Sequence, residues 1–173
     1  EWIELVELGS ISNTTSADGG YGDYTNLSTD LSPGSNVTIY FSAGFASSSY
    51  TEYWHVWIDF DQNGTFDSDE EVVTGSSSNS DKLQGSFDVP SDAALGQTRM
   101  RVTMKYDSEA SPCESFNYGE VEDYTVNITN NASNYFLSQK TSGTKLDDAD
   151  AETGVVVYPN PAKNYITLDI KAG

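Results

Sequence analysis

Residues 98–106 are Thr98-Arg99-Met100-Arg101-Val102-Thr103-Met104-Lys105-Tyr106 and alternate polar and apolar side chains over their whole length. Successive side chains of a β-strand point to opposite faces, so this alternation predicts a strand with one face on a core and one toward solvent. The core face carries Met100, Val102, Met104 and Tyr106. The opposite face carries Arg99, Arg101, Thr103 and Lys105.

Other strand-like runs lie on both sides of this one, separated by Gly-rich or Ser-rich turns. They are Trp2–Leu8, Asn36–Phe41, Trp54–Phe60, Leu83–Val89 and Asp123–Ile128. A helical period of 3.6 residues is sustained nowhere. We therefore predict an all-β fold, an antiparallel β-sandwich of jelly-roll type, over residues 1–129.

The chain changes character after this domain. Residues 130–153 are polar, become acidic toward their end and show no periodicity, which predicts a linker. A new apolar pattern then begins at Gly154 and continues through a Pro-Asn-Pro turn to residue 173. This last segment is too short to form a domain, and we expect the fold to be independent of everything after about Asn130.

The charge of the chain limits its partners. It has 173 residues, with 27 acidic and 8 basic side chains and a net charge of −19. A nucleic-acid or anionic-membrane partner needs a basic surface, so both are excluded, whereas a divalent cation is favoured. No apolar stretch is long enough to insert into a bilayer. The chain opens on the strand-like Glu1-Trp2-Ile3 and has no signal peptide there, so we expect it to be part of a longer precursor.

The most specific motif is the acidic loop, residues 59–70, which fits the pattern D-x-[DN]-x-[DN]-G-x₅-E of an EF-hand calcium loop. Calcium prefers six to eight oxygen ligands, and this spacing lets alternate side chains converge while Gly64 permits the sharp turn. The predicted ligands of Ca²⁺ are Asp59, Asp61, Asn63, Thr65, Asp67 and Glu70. The loop follows a strand, so we expect a structural ion on a sheet edge, with direct contact to a ligand as the alternative.

We find no catalytic residues in the sequence and predict that the domain is not an enzyme. His55 is the only histidine, and the sequence contains none of the serine-hydrolase, zinc or redox motifs. Glu120 and Glu122 have a spacing that a glycosidase could use. In so acidic a chain such pairs arise easily, and we expect Glu120, Glu122 or Asp123 to pair with a strand cation such as Arg101 instead.

A ligand surface is predicted from the strand faces that point away from the core. Trp57 and His55 lie opposite the apolar side of their strand, and a Trp beside a basic stripe suits a sugar that carries an anionic group. The candidate ligand-binding residues are Trp57, His55, Arg99, Arg101, Lys105, Tyr50 and Tyr53. The alternative for Trp57 and Arg101 is a buried role in the framework.

Gly119-Glu120-Val121-Glu122-Asp123-Tyr124 resembles the signature of the GEVED domain, an extracellular module of secreted Bacteroidetes proteins. The segment Val56-Trp57-Ile58-Asp59-Phe60 with its acidic loop, and Pro112-Cys113, resemble the family in the same order. The resemblance covers residues 1–129. The family usually has an early Cys that is absent here, which implies a disulfide from Cys113 to a residue upstream. The alternative for this lone cysteine is a buried free thiol.

Residues 154–173, with Tyr158-Pro159-Asn160-Pro161, resemble the start of a type IX secretion C-terminal sorting domain. The two resemblances together imply a secreted or surface-bound protein with a catalytic domain covalently attached upstream. We predict a non-catalytic carbohydrate-binding module of a polysaccharide-degrading enzyme, with an anionic (sulfated or uronic) polysaccharide as partner and calcium as stabiliser. The alternatives are a protein-binding or adhesion module and a calcium-rigidified spacer.

Overall fold

Nine β-strands make up the part of the chain that the computed structural model describes, residues 1–130. They are β1 (Trp2–Leu8), β2 (Ile11–Thr14), β3 (Tyr21–Leu31), β4 (Asn36–Gly44), β5 (Glu52–Ile58), β6 (Glu71–Ser77), β7 (Leu83–Asp88), β8 (Gly96–Tyr106) and β9 (Gly119–Ile128). The predicted linker beyond Asn130 and the predicted sorting segment lie outside the described residues. Residues 1–130 contain no helix that could span a bilayer.

The strands form two sheets, one of four strands in the order β2-β1-β4-β7 and one of five in the order β3-β9-β8-β5-β6. Apolar side chains from both sheets form one buried cluster, in which Ile39 and Phe41 of the first sheet meet Trp54 and Met100 of the second. The Phe41 and Trp54 rings lie 4.6 Å apart between centroids. The predicted all-β sandwich is confirmed.

One strand pair departs from the prediction of a purely antiparallel sandwich. β3 runs parallel to β9, with Tyr21 opposite Val121 and Leu31 opposite Ile128, whereas every other pair within residues 1–130 is antiparallel. A short hairpin forces antiparallel pairing, but β3 and β9 are far apart in the chain, so no turn fixes their relative direction. Side-chain alternation shows which residues share a face of a strand. It does not determine whether the strand runs parallel or antiparallel to its neighbour.

The register of the larger sheet determines which residues share its outer face, the face away from the core. Trp57 of β5 lies opposite Arg101 of β8, which in turn lies opposite Asp123 of β9. The β8–β9 loop, residues 107–118, follows β8 directly and lies over this outer face, since its residues contact the side chains of His55, Arg101 and Lys105. The acidic loop connects β5 to β6 at the end of the same sheet.

Candidate metal centre and candidate binding surfaces

The acidic loop is fixed at both ends to the larger sheet. The amide of Asp59 donates to the carbonyl of Arg99 at 3.1 Å, and the amide of Ile58 donates to the carbonyl of Glu70 at 3.1 Å. Asp59 and Glu70 are buried, while Asp61 between them is exposed. The loop therefore begins and ends with carboxylates that the sheet holds in place.

Three carboxylates of this loop converge. One oxygen each from Asp59, Asp61 and Glu70 lies within 4.8 Å of the other two, a separation that a single ion can bridge. Backbone amides bond to all three groups: Gly64 donates to Asp59 Oδ2 at 3.1 Å, Phe60 donates to Glu70 Oε1 at 2.7 Å, and Asn63 donates to Asp61 Oδ1 at 3.0 Å. Gly64 has φ of +85°, the left-handed conformation that the sharp turn requires. This cluster could hold a metal ion.

The other predicted ligands lie beside this cluster and bond to one another. Asn63 Nδ2 donates to Asp61 Oδ2 and to Asp67 Oδ2, both at 2.9 Å, and Asn63 Oδ1 accepts the amide of Thr65 at 2.7 Å. Within the acidic loop, Asn63, Thr65 and Asp67 thus lie next to the three converging carboxylates. Their part in binding an ion stays a prediction.

Trp57 and His55 do not form an exposed surface. They are 3% and 4% exposed, and their rings stack at 5.1 Å between centroids with an angle of 8°. Glu71 Oε1 lies 2.5 Å from His55 Nδ1, and Glu109 Oε2 lies 2.6 Å from Nε2. The expectation that these rings face solvent is wrong, because the β8–β9 loop, which contributes Glu109, covers this part of the sheet.

Arg101 is tied into the framework by a bidentate ion pair. Its Nε and Nη2 donate to Asp123 Oδ1 and Oδ2 at 2.8 and 2.7 Å, and Nη1 donates to the carbonyl of Pro112 at 2.7 Å. The hydrogen bonds to Asp123 raise the pKa of the Arg101 guanidinium. The predicted pairing of a signature acid with Arg101 is confirmed for Asp123, and the exposed role of Arg101 is replaced by a structural one.

Lys105 holds the same loop. Its Nζ donates to Glu114 Oε1 at 2.6 Å and to the carbonyl of Glu109 at 3.1 Å, and only 14% of the side chain is exposed. His55, Arg101 and Lys105 therefore act together, since each contacts a residue of the β8–β9 loop. The basic stripe that the alternation predicts is the attachment surface of this loop.

Arg99 is the exception among the predicted cations. Its side chain is 43% exposed, and the one carboxylate within 4.0 Å of it among residues 1–130 is Asp123, at 4.0 Å. It lines a cleft of about 820 Å³ between the acidic loop and Cys113. Cys113 is exposed, so a buried thiol is ruled out, and the predicted disulfide to an upstream residue stays a prediction.

Three tyrosines form an exposed group at the end of the larger sheet that lies away from the acidic loop. Tyr50, Tyr106 and Tyr118, here called the tyrosine surface, are 45%, 39% and 65% exposed. The Tyr106 ring packs edge-on against both neighbours, with centroids 5.5 Å from Tyr50 and 6.3 Å from Tyr118. Tyr53 is half-buried and does not belong to this group.

Of these three tyrosines only Tyr50 was predicted from the sequence as a ligand-binding residue; Tyr106 and Tyr118 were not. Alternation assigned Tyr106 to the core face of its strand, whereas the structure leaves it exposed as the last residue of β8. Tyr118 directly precedes Gly119 and follows no periodic pattern. An aromatic residue at each of three strand ends was the available signal, but only the fold shows that these ends are adjacent.

Glu120 and Glu122 point into the sandwich and are each 1% exposed. Glu120 Oε2 accepts the amide of Ile3 at 2.8 Å, and Glu122 Oε2 accepts the hydroxyl of Tyr124 at 2.7 Å. Burial raises the pKa of Glu122 to about 7. Both carboxyl groups serve internal contacts and are out of reach of a polymer, so this pair does not form an open glycosidase site.

A β-sandwich with an acidic loop at one end of its larger sheet is thus the class of domain that fold and site define. Residues 53–127 match the family model of the GEVED domain, a family of non-catalytic domains. The family resemblance is confirmed over these residues, which extend from β5 through nearly all of β9 and include the acidic loop and the Arg101–Asp123 pair. No curated protein matches the chain.

Proposed function

We propose that this domain is a non-catalytic carbohydrate-binding module of a secreted polysaccharide-degrading enzyme, with the tyrosine surface as its sugar-contacting site. The observation that carries the proposal is the adjacency of three exposed tyrosine rings at one end of a sheet. An aromatic ring offers a flat apolar face to the carbon-bound hydrogens of a pyranose, and the phenol hydroxyl can bond to sugar hydroxyls.

The packing of the three rings favours binding. Tyr106 lies at 79° to both Tyr50 and Tyr118, so each ring limits the rotation of its neighbour. Ordering a side chain on association costs about 0.5–1.5 kcal/mol, and a ring already held in place loses less of this amount. Tyrosine also has few rotatable bonds for its area, which makes it suitable for a binding surface.

We also propose that the acidic loop binds Ca²⁺ through Asp59, Asp61 and Glu70, with Asn63, Thr65 and Asp67 completing the shell. All of these groups offer oxygen, and an oxygen-only set of six or more ligands suits a hard cation of the size of calcium. Glu52, at the N-terminal end of β5, lies opposite Tyr106, whereas the acidic loop follows the C-terminal end of β5. Seven strand residues span about 20 Å, so the ion supports the fold and does not touch sugar on the tyrosine surface.

The proposed setting of the module is extracellular. The GEVED match and the resemblance of residues 154–173 to a type IX sorting segment support secretion of a longer protein with a catalytic domain. Tethering of the enzyme to an insoluble polymer raises the effective concentration of substrate for its catalytic domain, and the binding module needs no catalytic residues for this effect.

Affinity electrophoresis tests the proposal against its alternatives. The chain is run through native gels that contain one polysaccharide each, from a neutral and an acidic panel, and is also passed over immobilised collagen. We expect retardation by at least one polysaccharide and passage through the collagen column. Retention on collagen alone would identify an adhesion module, and the absence of retention in every arm would leave a calcium-rigidified spacer.

A further inference from the structure

The cleft beside Arg99, here called the arginine cleft, lies on the larger sheet at the end opposite the tyrosine surface. One wall belongs to the acidic loop and contains Gln62 and Phe66, the floor contains Gln97 and Arg99, and Cys113 stands on the far side. Its volume of about 820 Å³ is that of a site for a ligand of one or two sugar residues. Arg99 and Tyr106 are seven positions apart along β8, a distance of roughly 23 Å, so the cleft and the tyrosine surface are separate.

The two arginines of the cleft have different roles. Arg101 is committed to the framework, because three of its five N–H donors bond to protein oxygens, two to Asp123 and one to the carbonyl of Pro112. Asp123 in turn also accepts the hydroxyl of Tyr21 at 3.0 Å. The Asp123 carboxylate is therefore neutralised by Arg101, and at 4.0 Å it is too far from Arg99 to hydrogen-bond to it.

Arg99 keeps its donors for a ligand. Asp23 also lies near it, but the lowered pKa of Asp23 comes first from its hydrogen bonds with Thr25 and least from Arg99. Among residues 1–130 the guanidinium of Arg99 makes no hydrogen bond, and its side chain is 43% exposed. Phe66 lines the same cleft, and its ring packs on Arg101 with 5.4 Å between the ring centroid and Cζ.

We propose that the arginine cleft binds an oxyanion group of a glycan, the carboxylate of a uronic acid or a sulfate ester, through the guanidinium of Arg99. A guanidinium offers two parallel N–H donors that match two oxygens of either group. Two carboxylates line the cleft with Arg99: Asp123 is paired with Arg101, and Asp59 accepts the amides of Asn63 and Gly64. The rest of the net charge of −19 weighs less, because at physiological salt charges farther away than about 8 Å are largely screened. That the anion belongs to a glycan rests on the proposed carbohydrate function. That the site binds an anion rests on the cleft alone.

The test uses the full chain and three short oligosaccharides of equal length: an oligogalacturonate, a sulfated galactan fragment and a neutral fragment. Calorimetric titration of the wild type is compared with Arg99→Gln and with the matched control Lys82→Gln, which removes an exposed cation on the other sheet. We expect binding of the uronate or the sulfated probe, with at least about a tenfold loss in Arg99→Gln and none in Lys82→Gln. The probe that binds identifies the anion.

Salt and the neutral polymer separate this inference from the proposed function. Wild-type affinity for the anionic probe should fall as salt rises, and the Arg99→Gln affinity should change less. Retention of Arg99→Gln by a neutral polysaccharide gel reports on the tyrosine surface alone, so the two proposals can fail independently. Equal binding of the anionic probes by wild type and Arg99→Gln, an equal loss in Lys82→Gln, or no binding of either anionic probe would overturn the inference.

Discussion

Glu52 is an isolated carboxyl group inside the sandwich. It is 0% exposed, and neither of its oxygens has a hydrogen-bond partner among residues 1–130. Burial, with Glu1 as a smaller cause, raises its pKa from 4.5 to about 7. A group with a raised carboxyl pKa keeps its proton in the folded state at a pH where the unfolded chain has lost it, so folding at that pH takes up a proton.

The raised pKa of Glu52 makes the stability of the domain depend on pH. The folded state binds more protons than the unfolded state between about pH 4.5 and 7, so the stability of the domain should fall as pH rises through this window. Glu52→Gln replaces the carboxyl by a neutral group of the same shape. We expect this variant to match wild type near pH 4.5 and to be more stable by about 1–3 kcal/mol at pH 8. Urea unfolding at both pH values measures this difference.

Asp81→Asn is the control for this prediction, since it removes an exposed carboxylate and should follow the wild-type pH profile. Glu122, whose pKa is also raised to about 7, should leave a residual pH dependence in Glu52→Gln. A Glu52→Gln variant no more stable than wild type at pH 8 would contradict the account of a buried carboxyl group without a partner.

Gly119, the first residue of the family signature, shows why that position needs glycine. Its φ is +121°, and a Cβ added there would lie 2.1 Å from the carbonyl oxygen of Met104. Gly119→Ala should therefore destabilise the domain by roughly 2–4 kcal/mol, measured by urea unfolding. Gly75→Ala is the matched control, because a Cβ there meets nothing within 4 Å, and it should stay within about 0.5 kcal/mol of wild type. Equal effects at the two positions would refute the steric explanation.

Strand alternation predicted part of the candidate site from sequence. It placed Arg101 on the outer face of β8 and Trp57 on that of β5, and the register confirms that they are neighbours. It could not show that residues 107–118 fold back over this face, because a loop without periodicity gives no sign of what it covers. The alternation pattern therefore could not predict that Trp57 and His55 are buried. Arg99 is exposed because it lies just outside the area that the loop covers.

At the scale of elements, the strands that the sequence did not predict share one property. β2, β3 and β6 all lie at the edge of a sheet, as the strand orders show. An edge strand faces solvent on more of its surface and needs fewer apolar residues, so β3, with Asp23, Asn26 and Asp30, has no clean alternation. Five of the predicted strands, β1, β4, β5, β8 and β9, are central and carry the apolar pattern because both of their edges are paired. The sixth, β7, is an edge strand and was predicted because Leu83, Phe87 and Val89 give it an apolar pattern of its own.

The acidic loop should make the stability of the domain depend on calcium. Calcium that binds only the folded state adds about 2.7 kcal/mol at one hundred times its dissociation constant, which should raise the melting temperature by about 10 °C. The same concentration of magnesium should stabilise less, because magnesium demands a smaller octahedral shell. Differential scanning calorimetry with calcium, with magnesium and with chelator measures these shifts.

Asp61→Ala should abolish the calcium response, since Asp61 is one of the three converging carboxylates. Asp81→Ala removes an exposed aspartate outside the loop and should respond like wild type. Identical midpoints with calcium and with chelator in the wild-type chain, or a full response in Asp61→Ala, would refute calcium binding by this loop.

At the scale of the whole molecule, the larger sheet separates three features along its length. The tyrosine surface lies at one end, the acidic loop and the arginine cleft lie at the other, and the β8–β9 loop covers the outer face between them. The Arg101 bond to the carbonyl of Pro112 and the Lys105–Glu114 pair fix this loop, and both contacts involve residues of the family match. The two proposed ligand sites therefore lie at opposite ends of the larger sheet, on either side of the β8–β9 loop.

Sugar binding by the tyrosine surface is tested by the affinity of the double variant Tyr106→Ala/Tyr118→Ala for the polysaccharide that retards the wild type most. Each stacking ring contributes about 1–3 kcal/mol in comparable aromatic contacts, so we expect at least a tenfold loss of affinity in affinity electrophoresis. Tyr40→Ala, which removes a tyrosine from the other sheet, should bind like wild type, and all variants should first melt within a few degrees of it. A well-folded double variant that binds with wild-type affinity would contradict the account.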